Sequence, residues 1–127
     1  MSYCSRMPAA SRRIVAAACL AVVFVIMPIS AAPVTVTGEL VDVQCLLEDA
    51  KNAGPDHVDC ALSCAKRGAV LGILAADGLY VVTGTLTLET NRRLIEFVAT
   101  TVTATGTVTE RGGRKLLAAT DIRRADQ

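Results

Sequence analysis

The chain has 127 residues, enough for one domain, with 13 basic and 12 acidic side chains. Its hydrophobic fraction of 52% is misleading, because one uncharged run over residues 14–29 supplies much of it. Residues 32–127, which follow this run, hold 10 basic and 12 acidic side chains, a net charge of −2, and two aromatic residues, Tyr80 and Phe97. This composition disfavours nucleic-acid binding, which relies on a basic groove and stacking aromatics.

The first 31 residues have the layout of a signal peptide: arginines, then the apolar run, then the small residues Ser30 and Ala31, with Ala32 directly after them. The run is shorter than the roughly 20 residues that a membrane-spanning helix needs. We predict cleavage after Ala31, because cleavage after Ala32 would place Pro33 directly beyond the cut. The alternative is an uncleaved N-terminal anchor.

The predicted mature domain, residues 32–127, is therefore expected to be periplasmic or secreted, with no membrane contact after cleavage. The pair Arg12-Arg13 ahead of the apolar run resembles the core of a twin-arginine export signal. Because a pair of arginines before an apolar run is common by chance, we favour export by the general secretory route over the twin-arginine route.

Residues 33–44 alternate as a strand, first with Val36 and Leu40 on one face. After Gly38 the apolar parity changes to Val41 and Val43, which would turn later side chains to the other face. Gly38 therefore predicts a bulge or a bend. A long first strand that bends to serve two sheets is typical of a small closed barrel.

Residues 46–56 are polar and rich in turn formers. A short helix is predicted next, with Asp56 as its N-cap and Gly68 as its stop. Asp77-Gly78 indicates a hairpin. The remaining predicted elements are a buried strand at 69–76, a return strand at 79–82 that could extend over 85–88, and a brief helix at 91–97.

The clearest strand is residues 98–110, in which five threonines alternate with small apolar residues such as Val102, Ala104 and Val108. Gly112-Gly113 turns the chain into a last strand at 114–122. The order predicts a mostly β fold: a small five-stranded OB-like barrel with a short helix inserted after strand 1 and another between strands 3 and 4. The alternative is a small α+β sandwich.

Three cysteines and the only histidine form the candidate site of the mature chain. At 100° per residue, His57, Cys60 and Cys64 fall on one helical stripe. Cys45 precedes this helix in the chain, and the loop of residues 46–56 between them can bring it to the same stripe. Tetrahedral zinc accepts such a Cys₃His set, and copper(I) prefers soft thiolates. One interpretation is therefore a metal site at Cys45, His57, Cys60 and Cys64, with zinc or copper as the ion; the other interpretations involve no cofactor.

The main alternative is a disulfide from Cys45 to Cys60 or Cys64, which would leave one spare thiol and staple the inserted helix to strand 1. Three free thiols or an intermolecular bridge are further options. His57 and Cys60 could also form a thiolate–imidazolium pair. No hydrolase or phosphate-binding motif accompanies that pair, so the sequence does not favour an enzyme.

Three stretches together resemble a group of small exported bacterial proteins with OB-fold-like domains: residues 38–45, the His57-x₂-Cys60-x₃-Cys64 insert, and residues 102–108. The resemblance implies the barrel and the grouping of the four site residues, and it implies no particular substrate. The chain departs from the group at residues 97–101, where a glycine and a lysine often stand.

Two functions follow as expectations. The first is a binding domain of the cell envelope with a Cys₃His metal site, acting on a small ligand or another envelope protein. The second is a structural or redox-responsive domain with a Cys45 disulfide and a spare thiol.

Overall fold

The computed structural model describes residues 31–126, so the predicted signal peptide lies outside the described residues except for Ala31. The described chain is mostly β. Its five strands are β1 Val34–Asp42, β2 Leu71–Ala75, β3 Gly78–Thr83, β4 Thr101–Arg111 and β5 Arg114–Arg124.

The strands form one sheet that closes on itself through hydrogen bonds in the order β1-β2-β3-β5-β4. All neighbours are antiparallel except β3 and β5, which are parallel. The prediction of a mostly β, five-stranded fold is confirmed. The predicted strands end within a few residues of the observed ones, and the two-residue turn between β2 and β3 lies one position earlier than predicted.

Strand β1 serves two partners, as the change of parity at Gly38 predicts. Residues 34–39 pair with β4, and residues 38–42 pair with β2. Gly38 belongs to both ladders, and a Cβ atom there would stand 2.3 Å from the carbonyl oxygen of Leu74. Only glycine allows the two backbones to approach this closely.

The alternation predicted for β4 is confirmed. Val102 and Ala104 are fully buried, whereas the threonine face meets its counterpart on β1, with Thr37 Oγ1 and Thr103 Oγ1 3.1 Å apart. The core is aliphatic. Its largest fully buried hydrophobic side chains are Leu40, Val41, Leu71, Ile73, Leu86, Leu94, Val102 and Leu117.

The helices differ from the prediction between β1 and β2. Helix α1, Val43–Glu48, occupies residues that were assigned to the end of a strand and to a loop. A 3₁₀ turn, Pro55–His57, then leads into α2, Val58–Lys66. Asp56 is not the N-cap, because Pro55 starts the 3₁₀ turn one residue earlier. No helix in residues 31–126 is long and apolar enough to cross a bilayer.

The helix predicted at 91–97 is also wrong in position. Helical turns lie at α3, Leu88–Asn91, and at the 3₁₀ segment Ile95–Phe97. Asn91 has φ 62°, and a residue in this left-handed conformation interrupts a regular helix. The optional extension of β3 is a 3₁₀ turn instead, Thr85–Thr87, which follows Gly84 at φ 90°.

Candidate metal centre

The segment between β1 and β2 carries all four predicted site residues. Cys45 lies on α1, His57 ends the 3₁₀ turn, and Cys60 and Cys64 lie on α2. The segment therefore folds as three short helical pieces rather than as the single helix expected from the sequence.

Asp42 positions Cys45. As the N-cap of α1, its Oδ1 accepts the backbone N–H groups of Gln44 at 2.9 Å and Cys45 at 3.3 Å. Such a cap satisfies donors that the first turn of a helix leaves free. Asp42 is only 2% exposed, so its carboxylate faces the interior beside the cysteine it positions.

The loop after α1 folds back to position His57. Asn52 Nδ2 donates to the Cys45 carbonyl oxygen at 3.0 Å. The N–H of Gly54 donates to Glu39 Oε1 at 2.6 Å, which ties the loop to β1. The backbone N–H of His57 then donates to the Gly54 carbonyl at 3.1 Å.

Helix α2 is fixed against the sheet at both of its inward positions, Ala61 and Ala65, which are buried. At its C-terminal end, Asn91 Nδ2 donates to the carbonyl oxygens of Ala65 at 3.1 Å and Ala69 at 2.8 Å. Terminal carbonyls of a helix otherwise lack partners. This bond pair fixes the helix that presents Cys60 and Cys64.

The structure brings the predicted residues together in two overlapping groups. Ligand atoms of Cys45, His57 and Cys60 all lie within 4.8 Å of one another, and those of Asp42, Cys45 and Cys64 do the same. Donors of a tetrahedral zinc site stand about 3.5–3.8 Å apart, given bonds of about 2.0–2.3 Å. Side-chain shifts on the order of 1 Å would therefore close either group around an ion.

Asp42 is the site residue that the sequence analysis missed. The sequence predicts it only as part of the first strand, residues 33–44. The available signal was its place directly before a short segment containing Cys45, where an aspartate is a favoured N-cap. Cys64, by contrast, is predicted from the sequence to share a metal ion with His57, but in the structure its sulfur groups with Asp42 and Cys45.

The Cys45 and Cys64 thiols are held in their neutral form. Burial raises the pKa of Cys45 from 9.0 to about 12, and the adjacent Asp42 carboxylate adds to the shift. Burial and Asp42 also raise the pKa of Cys64, while Arg67 opposes the change. Arg67 Nη2 donates to Cys64 Sγ at 3.2 Å. Raised thiol pKa values disfavour a thiolate nucleophile.

His57 is half-buried, and its Nε2 atom is buried without a hydrogen-bond partner among the described residues. A buried polar nitrogen without a partner costs free energy. A cation bound beside Cys45 and Cys60 would use a nitrogen of this imidazole. The donor set therefore fits zinc or copper(I).

The predicted Cys45 disulfide is not present, because Cys45, Cys60 and Cys64 are all free. Cys60 is exposed, and the other two are half-buried. The three thiols thus remain available as ligands.

A surface cleft of about 640 Å³ adjoins the cluster and is lined by Asp42, Cys45 and Cys64. Its walls include the apolar side chains of Leu47 and Val70, which are 61% and 56% exposed. This cleft gives small solutes a route to the second group of ligands.

Comparison with known proteins adds no assignment to this geometry. No protein-family model, no curated protein and no solved structure matches the chain.

Proposed function

We propose that this protein is a small exported binding domain of the cell envelope that holds a thiophilic metal ion. Zinc and copper(I) are the ions that suit thiolate and imidazole donors. The observation that carries the proposal is the convergence of Cys45, His57 and Cys60 within 4.8 Å, at a histidine whose Nε2 has no hydrogen-bond partner within residues 31–126. Cys64 is the fourth donor expected from the sequence.

The proposed scaffold is an OB-like barrel. The closed strand order, the parallel β3–β5 pair and the helical segment between β3 and β4 support it. In this interpretation the cysteine-bearing segment is an insert between β1 and β2, and the barrel serves as a rigid support for it. The expected periplasmic or secreted location follows from the leader sequence alone.

The proposed partner is a small ligand or an envelope protein rather than a nucleic acid. Tyr80 lies against Lys115, with Nζ 4.7 Å from the ring centre, and Phe97 lies against Arg124 at 5.9 Å. Both aromatic rings of the domain are thus already paired with cations. Neither is free to act as a stacking platform for bases.

A redox-responsive domain is the second candidate. Cys45 Sγ lies within 4.8 Å of Cys60 Sγ and also of Cys64 Sγ, so an oxidant could join it to either one. Extracytoplasmic compartments favour such bonds. The raised pKa of Cys45 and Cys64 works against it, because exchange proceeds through the thiolate.

Metal analysis combined with thiol counting distinguishes the two candidates. Protein purified from the extracytoplasmic fraction, with Ala32 expected as its first residue, should contain zinc or copper. After denaturation with a chelator it should show three reactive thiols. Metal-free protein with a single reactive thiol would overturn the metal proposal in favour of the redox one, and metal-free protein with three thiols would contradict both.

A further inference from the structure

A second group of ligands lies beside the first. Asp42, Cys45 and Cys64 place a carboxylate oxygen and two sulfur atoms within 4.8 Å of one another. Carboxylate and thiolate are both ligands of zinc. Because Cys45 belongs to both groups, its sulfur stands between two positions for a cation, and a thiolate has enough lone pairs to bridge two ions.

The Asp42 carboxylate is buried, at 2% exposure, and the ion pairs of the described residues, Arg92 with Glu89 and Lys115 with Asp77, do not include it. Its Oδ1 accepts two backbone N–H groups, and the thiols of Cys45 and Cys64 also hydrogen-bond to this side chain. A buried carboxylate that has hydrogen bonds but no opposite charge is still costly. A cation between Asp42 and the two sulfur atoms would offset this cost.

The total charge of the donors also matches two ions. Cys45, Cys60 and Cys64 as thiolates, together with Asp42, supply four negative charges. Two Zn²⁺ ions neutralise four, whereas one ion would leave two negative charges in a partly buried site. The cleft beside the cluster is lined by all three members of the second group. Arg67, which donates a hydrogen bond to Cys64 Sγ, is exposed, so its side chain can turn into solvent and free the sulfur for a metal ion.

We propose that the cluster binds two zinc ions that share the Cys45 thiolate. The first ion is held by Cys45, His57 and Cys60, and the second by Asp42, Cys45 and Cys64. The first position rests on the proposed function, and the second is an additional site.

Native mass spectrometry of the reduced protein, titrated with zinc sulfate, counts the ions directly. The parent protein should bind two. Asp42→Asn and Cys64→Ser should each bind one, His57→Ala should also bind one, and Cys45→Ser should bind none. Asp59→Asn, an exposed carboxylate on α2, is the matched control and should still bind two. Circular dichroism verifies that each variant is folded.

The outcomes separate the two proposals. A parent that binds one ion, with neither Asp42→Asn nor Cys64→Ser affecting it, would overturn the second site and leave the first intact. One ion whose binding requires both His57 and Cys64 would replace the pair with a single Cys₃His site. A parent that binds no zinc, and no copper(I) in a parallel titration, would overturn the proposed function as well.

Discussion

Asp42 caps the helix that carries Cys45, accepting the cysteine's backbone N–H at 3.3 Å while its carboxylate groups with the sulfur atoms of Cys45 and Cys64. One buried side chain therefore has a structural role and a place in the candidate metal centre. Substitutions that separate the cap from the charge can distinguish these roles.

The capping role predicts a difference between two substitutions. In the metal-free protein, Asp42→Ala should lower the free energy of unfolding by about 1 kcal/mol more than Asp42→Asn does, because both variants remove the buried charge and only alanine removes the N-cap of α1. Asp42→Asn should cost less, since asparagine caps about as well as aspartate. Urea unfolding in the presence of a chelator measures both.

Asp56→Ala is the matched control for this cap. The sequence favours Asp56 as the cap of α2, but the structure places it inside the 3₁₀ turn, where no side chain caps the helix. The substitution should change stability by less than about 0.5 kcal/mol. A larger loss than that of Asp42→Ala would mean that the assignment of caps is wrong.

Asn91 should be the most sensitive polar residue outside the site. Asn91→Gly keeps the left-handed backbone but loses two bonds to Ala65 and Ala69, at a cost of about 1–3 kcal/mol. Asn91→Ala should cost about 1 kcal/mol more, because alanine is strained at φ 62°. Urea unfolding of the two variants compares them, and equal stability to the parent would show that the bonds contribute nothing.

Strand β4 should tolerate substitutions on its threonine-bearing outer face but not on its buried inner face. Val102 is fully buried, so Val102→Asp should cost more than about 4 kcal/mol by burying an unpaired charge, and the fold should be lost. Thr103→Val should lose only the contact with Thr37 and cost less than about 1 kcal/mol. Circular dichroism melting curves record both, and a folded Val102→Asp variant would refute the assigned inner face.

Metal affinity should depend steeply on pH. The Cys45 pKa of about 12 means that this thiol is protonated at neutral pH and must lose its single proton to solvent when the first metal ion binds. Affinity for zinc should therefore rise at least tenfold per unit between about pH 6 and pH 8 and fall in acid. Competition with a chromophoric chelator measures it, and an affinity that does not change with pH would exclude Cys45 as a ligand.

The free energy of unfolding of the metal-free protein should change with pH in the opposite direction: it should fall as the pH rises, whereas zinc affinity should increase. A folded-state pKa raised from 9.0 to about 12 favours the neutral thiol. Its stabilising contribution is complete below about pH 9 and is lost as the pH rises toward 12. Urea unfolding of the chelator-treated protein across this range should show the decline.

The sequence predicts those parts of the fold that repeat locally. The period of two in β4 needs only adjacent residues, and so does the spacing that brings Cys60 and Cys64 to one side of a helix. Helix α1 was missed because six residues are too few for a helical period, and it depends on the cap at Asp42.

The other differences have non-local causes. Asn91 leaves the predicted helix because its side chain bonds to carbonyl groups of residues 65 and 69, more than 20 positions earlier in the chain. Cys64 groups with Asp42 rather than with His57, because His57 lies on a separate 3₁₀ turn and not on the helix that carries Cys64. No pattern in a single sequence encodes that arrangement.

X-ray absorption at the zinc edge, on protein loaded with one equivalent of zinc, tests the central claim most directly. We expect a first shell that contains sulfur at about 2.3 Å and imidazole nitrogen at about 2.0 Å from the zinc, with the imidazole signal lost in His57→Ala. A first shell without sulfur, or an imidazole signal that persists in His57→Ala, would contradict a metal centre built on Cys45, His57 and Cys60.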